Sequence, residues 1–302
     1  MLLQEQNRLS ATNRVDLPRG VSIISFVMPI YNGLELTRAC LRSLEQTVDL
    51  SRHEAILVDD ASTDGTREFL DGLRPPYYVL HNNTRLSYAA SVNRGVAAAR
   101  GELLCLLNND LIFSPGWLQP MTRAFDLFPD AGFVGNVQID PRTGRYDHMG
   151  VVFGPDAVPR HFGRNFFFCP FRGYTEWKAV TAGCSLIKRS TFLNAGGLDE
   201  EFKTGSEDVD LCLRLGRAGR RHYVANDSVI GHAVSSSEGR HLFKTENEAR
   251  LLQRWRPEIL ASLTPRDQRL YAINYILRSA TQPWRYSGPK LWDAVRRLVY
   301  PQ

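Results

Sequence analysis

Short apolar runs alternate with helically spaced ones through the first part of the chain. Val21 to Ile30 is apolar and rich in β-branched residues, and it runs into Pro29-Ile30-Tyr31-Asn32-Gly33, which predicts a strand ending in a turn. Leu34, Cys40, Leu41 and Leu44 then recur at helical spacing. Ala55 to Val58 predicts a second buried strand, closed by the polar stretch from Asp59 to Gly65. A short helix from Thr66 to about Leu73 follows, and Tyr77 to Leu80 predicts a third strand after Pro75-Pro76. Ser87 is placed to cap an Ala-rich helix through Arg100, with Gly101 as its stop. The small residues of that helix, among them Ala89, Ala90, Gly95 and Ala97, let it lie close on a sheet. Leu103 to Leu107 is an apolar run without a 3.6-residue period, and it leads straight into Asn108, Asn109 and Asp110. Strands buried on both faces and separated by helices predict an α/β fold with a parallel sheet and right-handed crossovers.

The pattern changes after Pro115-Gly116-Trp117. Leu118 to Phe128 predicts a helix and Gly132 to Gln138 a strand. Asp140 to Phe171 is rich in Pro, Gly, His and Phe, and reads as loops and short strands around a site. Val180 to Ile187 returns to an apolar strand, and Thr191 to Ala195 predicts a helical turn. Ser206 opens a helix carrying Leu211, Leu213 and Leu215 and ending near Gly219, and Arg221 to Ala225 predicts a last short strand. Beyond His232 the chain reads as helical, with breaks expected at Pro257, Pro265 and Pro283. Lys290 to Tyr300 places Leu291, Trp292, Val295, Leu298 and Val299 on one side, a short amphipathic basic helix. Two fates fit it, packing on the parent domain or lying on a membrane surface.

Composition adds bounds. The chain has 302 residues, 43% of them hydrophobic, enough for one large core with appendages. Residues 1–20 are polar and lack the apolar centre of a signal peptide, so they read as a loose leader. No apolar run reaches the roughly 18 to 20 residues of a membrane span. The cysteines Cys40, Cys105, Cys169, Cys184 and Cys212 form no C-x-x-C pair, which points to reduced thiols in a cytoplasmic protein. Net charge is +5, unevenly spread: residues 213–302 carry 16 Lys/Arg against 7 Asp/Glu. That basic third suits an anionic acceptor or a membrane surface, or is a solvated helical face.

Three acidic groups end apolar strands or open helices: Asp59/Asp60, Asp110 and Glu207/Asp208. One carboxylate at a strand end is ordinarily a turn or cap residue. Three in an α/β chain can meet in a crevice at the C-terminal ends of the strands, where such sheets bind ligands. Asp60 suits hydrogen bonds from a nucleotide base or ribose. Asp110 suits a divalent cation on a diphosphate, since Mg²⁺ and Mn²⁺ take hard oxygen donors completed by substrate phosphates. Asp208 suits the removal of a proton from an acceptor hydroxyl. The alternative for Glu207 and Asp208 is helix chemistry alone, because acidic residues favour a first turn. Only convergence in space separates these readings.

Four stretches carry a family resemblance: Val27-Met28-Pro29-Ile30-Tyr31-Asn32-Gly33, Val58-Asp59-Asp60-Ala61-Ser62-Thr63-Asp64-Gly65-Thr66, Leu107-Asn108-Asn109-Asp110, and Gly205-Ser206-Glu207-Asp208-Val209-Asp210-Leu211-Cys212-Leu213-Arg214. In order and spacing they resemble the signatures of glycosyltransferase family 2, in its rhamnosyltransferase-like branch, over about residues 21 to 235. The resemblance implies an inverting enzyme of the GT-A fold, with a Rossmann-like, mostly parallel central sheet flanked by helices. It implies a nucleotide-binding half at 21–113, an acceptor-binding half at 114–235 and a helical basic extension at 236–302. Pro29, Tyr31, Asp60 and Asn109 match nucleoside-binding positions, and Asp208 matches the catalytic base. Asn108-Asn109-Asp110 stands where the family has a D-x-D-type motif. It departs from two acidic residues, so Asp110 is expected to carry most of the contact to Mn²⁺ or Mg²⁺. His232 resembles the histidine that completes the metal site in some members; a loop-end histidine bonded to backbone is the other reading. Gly183 and Glu207 fall on the acceptor side. Trp177 is placed either to stack on a sugar or as a core or rim tryptophan. Asn82-Asn83-Thr84-Arg85 departs from the family's usual Asn-x-Gly, with Arg85 reaching the diphosphate or facing solvent.

The implied partners are a nucleotide-diphosphate sugar donor and a glycan or lipid-linked acceptor. The implied setting is the cytoplasm, with peripheral association at the inner face of the cell membrane through the basic C-terminal region. A nucleotidyltransferase would more naturally carry a cationic loop after the first strand. A dinucleotide oxidoreductase would carry G-x-G-x-x-G there, and the chain has neither. A non-catalytic sugar-nucleotide-binding module would have no need of the Glu207-Asp208 pair. No nucleic-acid-binding module is recognisable, so none is expected as a partner.

Overall fold

A computed structural model describes residues 24–233, 243–285 and 287–300; the leader at 1–20 lies outside them. The elements run β1 (Ile24–Ile30), α1 (Leu34–Thr47), β2 (Glu54–Asp59), α2 (Thr66–Asp71), β3 (Tyr77–His81), α3 (Tyr88–Ala98), β4 (Leu103–Leu107) and β5 (Leu111–Ile112). Then come α4 (Leu118–Leu127), β6 (Ala131–Ile139), β7 (Tyr146–His148), β8 (Val151–Phe153), β9 (Pro159–His161), β10 (Tyr174–Trp177), β11 (Cys184–Lys188) and α5 (Arg189–Asn194). The chain continues with α6 (Glu207–Arg217), β12 (Arg221–His232), α7 (Lys244–Ala261), α8 (Pro265–Thr281) and α9 (Gly288–Val299).

The sheet order is β10-β12-β6-β11-β4-β1-β2-β3. β1 pairs in parallel with β2 and β4, and β2 with β3, as the alternating pattern predicts. β11 enters antiparallel between β4 and β6, and β12 returns parallel to β6. Strand alternation divides the core into two clusters, one on each face. Phe26, Met28, Cys105 and Leu107 face α1 and α4. Val27, Leu104 and Leu106 face α3, α6 and α7.

Three elements differ from expectation. The strand expected over Val180 to Ile187 spans only Cys184–Lys188, with Ala182 and Gly183 in a turn before it. β12 extends to His232 instead of stopping at Ala225, through a register shift between Ala225 and Val229. The polar run Asn226-Asp227-Ser228 hides the continuation, because a bulge breaks the apolar alternation. Its polar groups are met by side-chain bonds: Asn226 Nδ2 donates to Thr175 Oγ1 at 2.8 Å and Ser228 Oγ to the Trp117 carbonyl at 2.6 Å. Pro257 does not break α7. The helix forgoes one backbone bond there and is held by buried Leu251, Trp255 and Ile259.

The C-terminal helices share the main core. Asp210 of α6 is fully buried and accepts hydrogen bonds from Arg214 Nε at 2.7 Å, Arg254 Nη1 at 2.8 Å and Trp255 Nε1 at 2.8 Å. α9 buries Ala294 and leaves Trp292 73% exposed.

The small-residue face of α3 is realised at Gly95. A Cβ there would lie 2.6 Å from Val27 Cγ1 and 3.1 Å from Val58 Cγ2. Gly216, exposed in α6, has nothing within 4 Å of such a Cβ. Urea denaturation should therefore separate two helical Gly→Ala changes. Gly216→Ala is expected to stabilise by about 0.5–1 kcal/mol through helix propensity. Gly95→Ala is expected to lose about 1–3 kcal/mol through overpacking.

Candidate active site

A cleft of about 410 Å³ opens at the C-terminal ends of β1, β2 and β4, lined by Pro29, Tyr31, Asp60, Asn109, Asp110, Gly183, Glu207 and Asp208. All three acidic groups therefore converge on it. A wider hollow of about 600 Å³ at the opposite end of the strands, beside Ile24, Leu103 and Lys188, holds none of the candidate residues.

The turns after β1 and β2 are pinned to each other. Asn32 N donates to Ser62 Oγ at 2.9 Å, and Thr63 N to Asn32 Oδ1 at 2.8 Å. Asp64 Oδ2 accepts from Gly33 N at 2.7 Å at the start of α1. Asn32 and Ala61 both take positive φ to make these bends. The lock separates the two adjacent aspartates. Asp59 is spent inside, its Oδ1 accepting from Ser62 N and its Oδ2 lying 3.0 Å from His81 Nδ1. Asp60 lines the cleft, while its Oδ1 holds the segment before and within α3 through Asn82 Nδ2 (2.6 Å), Leu86 N (2.8 Å) and Ser91 Oγ (3.1 Å). The Arg85 guanidinium lies 3.7 Å from the centre of the Tyr31 ring, a cation–π contact that neither expectation for Arg85 included. Asn109 Nδ2 is committed to Thr37 Oγ1 at 2.9 Å and the Asn32 carbonyl at 3.2 Å, so it braces the same turn from below.

Asp110 lies at the floor, 5% exposed. His232 ends β12, backbone-paired with Leu111, and its Nε2 is 3.4 Å from Asp110 Oδ2. The other ring nitrogen, Nδ1, is 3.2 Å from Asp147 Oδ2. Burial opposes charge on His232, but the two carboxylates win and raise its pKa to about 9. Asp147 moves the opposite way: burial would raise its pKa, yet the bond to His232 and the nearby His161 and Arg164 charges hold it well below the usual carboxylate range. His232 is thus bonded to carboxylates instead of backbone. Among the described residues, no group of three or more His, Cys, Asp and Glu side chains is arranged to hold a metal ion. A carboxylate and an imidazole side by side do fit Mn²⁺ or Mg²⁺ where substrate phosphates and water complete the shell.

Asp208, which also lines the cleft, stands in the first turn of α6. Its Oδ2 accepts from Ala182 N at 3.1 Å and its Oδ1 from Val209 N at 2.8 Å, which fixes the carboxylate plane. Glu207 beside it is 6% exposed. Gly183 links this wall to the floor, its carbonyl accepting from Asn108 N at 2.8 Å. Tyr88 adds a hydroxyl to the same wall, 3.5 Å from the Ala182 carbonyl. Trp177 does not reach the cleft. It is 5% exposed and packs against Phe162 and Phe171, with ring centres 5.2 and 5.7 Å away, so the core reading holds. Asp147, Arg160, His161 and Arg164 were not singled out in the sequence; the signal was the crowding of His, Asp and Arg in the Gly-rich stretch after Asp140.

An α/β sheet whose strand ends gather these carboxylates places them in the crevice where open sheets of this class bind ligands. The comparisons narrow the class. Residues 25–194 match the glycosyl transferase family 2 profile, more than half of the chain, and the chain belongs to that family. The O-antigen biosynthesis protein RfbC of Myxococcus xanthus is 33% identical over 74% of this chain, which spans 18% of that protein's length. The N-acetylglucosaminyl-diphospho-decaprenol L-rhamnosyltransferase of Mycobacterium tuberculosis is 29% identical over 60% of this chain and 67% of its own. The crystal structure of GalNAc-T7 with UDP, GalNAc and Mn²⁺ superposes with a TM-score of 0.64 at 16% identity, over 84% of this chain and 51% of that one. The fold is GT-A, as the resemblance implied.

The His232 site sets a pH dependence of stability. Its folded pKa of about 9 lies above the ordinary 6.5, so the contribution is complete below about pH 6.5 and is lost as pH rises through 9. Metal-free protein should lose stability across that window, by up to about 3 kcal/mol. His232→Gln should flatten that limb in denaturation curves at pH 6.5 and 9.5.

Proposed function

We propose that this chain is an inverting glycosyltransferase that moves a sugar from a nucleotide-diphosphate sugar to an acceptor hydroxyl. The observation that carries the reading is that Asp60, Asp110 and Asp208, from three separate segments of the chain, line one cleft at the strand ends. The nucleoside would lie along Pro29, Tyr31 and Asp60, with Asp60 receiving hydrogen bonds from base or ribose. Its diphosphate would point towards Asp110. A divalent cation held there by Asp110 and His232 would supply Lewis-acid stabilisation of the leaving diphosphate.

The chain's own part of the chemistry is at Asp208. An acceptor hydroxyl is a poor nucleophile until a carboxylate takes its proton as the C–O bond forms. The two backbone N–H groups on Asp208 hold its carboxylate in place while leaving lone pairs for that proton. Attack from the Asp208 wall, opposite the diphosphate, inverts the anomeric centre in one displacement, with no covalent sugar–enzyme intermediate. Glu207 and Gly183 then border the acceptor.

The acceptor is assigned to glycans or lipid-linked glycans, a reading supported by the lipid-linked acceptor in the name of the mycobacterial relative. Among the described residues no helix is long and apolar enough to cross a membrane. The setting we assign is the cytoplasmic face of a membrane, met peripherally by α9. That helix turns Trp292, Leu298, Val299 and Tyr300 outward beside Lys290 and Arg296, a mixture of aromatic and cationic residues suited to a headgroup region.

Asp208→Asn should lower transfer at least about 100-fold while donor binding stays near normal; strong residual turnover would remove Asp208 as the base. Thermal unfolding against UDP, GDP and dTDP, each with and without Mn²⁺, tests the donor side. A ligand at 100 times its dissociation constant stabilises by about 2.7 kcal/mol. One nucleotide should give a metal-dependent shift, and Asp110→Ala should abolish the metal-dependent part.

A further inference from the structure

We infer that Asp147 is the outer-sphere partner that fixes His232 for metal binding, itself locked in place by Arg164. The inference rests on the reading of Asp110 and His232 as metal ligands and extends it to residues outside the family signatures.

The three groups come from separate elements and meet in the interior. Asp110 follows β4, Asp147 lies on β7 and His232 ends β12, and they are 5%, 6% and 3% exposed. An imidazole ligand binds through one nitrogen and needs a partner for the N–H of the other, which sets tautomer and ring orientation. Asp147 Oδ2 takes Nδ1 at 3.2 Å, so Nε2 is the nitrogen presented to Asp110. The second Asp147 oxygen, Oδ1, lies 3.2 Å from Arg164 Nε. With one oxygen on the imidazole and the other on the guanidinium, Asp147 is held as a brace for the ring, not as a direct ligand.

The backbone around it is built to keep that position. β7 is paired to β6, with Gln138 opposite His148 and Ile139 opposite Tyr146. The chain from Asn165 to Phe166 closes back on Tyr146, through Tyr146 N to the Phe166 carbonyl at 3.0 Å and Asn165 N to the Tyr146 carbonyl at 2.7 Å. Arg164 is thereby carried beside Asp147. A carboxylate partner also strengthens an imidazole as a donor more than a carbonyl does.

The test is Mn²⁺ binding to the full chain, read by electron paramagnetic resonance of the free ion, in the wild type, Asp147→Ala, Asp147→Asn, His232→Ala and the double variant Asp147→Ala/His232→Ala. Asp147→Ala should weaken Mn²⁺ about 10- to 100-fold. Asp147→Asn, which keeps an acceptor without the charge, should fall between it and the wild type. Asp147→Ala should add nothing once His232 is gone, because the two act as one unit. Equal loss in both backgrounds would overturn the inference, since Asp147 would then act independently of the ring. Unchanged binding in Asp147→Ala with loss in His232→Ala would overturn it while leaving the metal reading intact. Absence of binding in the wild type both with and without a nucleoside diphosphate, or binding in His232→Ala as tight as in the wild type, would overturn both. Should Asp147→Ala fail to fold, Arg164→Gln takes its place: a several-fold loss of Mn²⁺ affinity supports the brace, and an unchanged affinity overturns it.

Discussion

A buried carboxylate must be paired, and the pairing of Asp210 sets much of this architecture. Removed wholly from water, it would be costly without the three donors that meet it. Two of those donors, Arg254 and Trp255, come from α7. The requirement therefore draws a helix from the C-terminal region onto α6, two residues beyond Asp208. Arg214, the third donor, reaches on to the carbonyl of Gly197 at 2.7 Å and also bonds that of Ala195. The Asp208 wall of the cleft is thus set by a charge that does not line it. The neighbouring carboxylates divide the same way: Asp59 and Asp210 build, Asp60 and Asp208 face the cleft.

The first half of the fold was legible because its physics is local. Buried parallel strands read as unbroken apolar runs, and the polar residues that end them mark the ligand edge. Ser87 capped its helix as predicted, its side chain accepting from Ala90 N at 3.1 Å. The stretch from Asp140 to Phe171 was legible only as a region. Its strands are two or three residue pairs long, too short for an alternation of apolar and polar positions to carry a register. Asp147 could not be told from any loop aspartate until His232 arrived from β12. Trp177 shows the reverse: an aromatic before a site-lining strand looks like a sugar platform, and only packing against Phe162 and Phe171 reveals a core residue.

The site also separates rigid from adjustable parts. Asp60, Asn109 and Asp208 each hold a backbone segment as well as facing the cleft, so a change at any of them would move more than one group. The stacked pair of Tyr31 and Arg85 is different. Arg85 is exposed and its contact is a single face-on approach. A flat base settling on Tyr31 would exchange one π contact for another, and affinity there would register the difference between the two.

The tryptophans are sorted by environment in a way that reports on the molecule without a label. Trp117, Trp177 and Trp255 are buried at 1%, 5% and 2% exposure, whereas Trp284 and Trp292, just before and within α9, are 77% and 73% exposed. Intrinsic emission should therefore contain a blue component from the core and a red one from the C-terminal surface. The red component belongs to the surface that α9 presents, so its shift or quenching would follow whatever covers that helix while the blue one follows the fold.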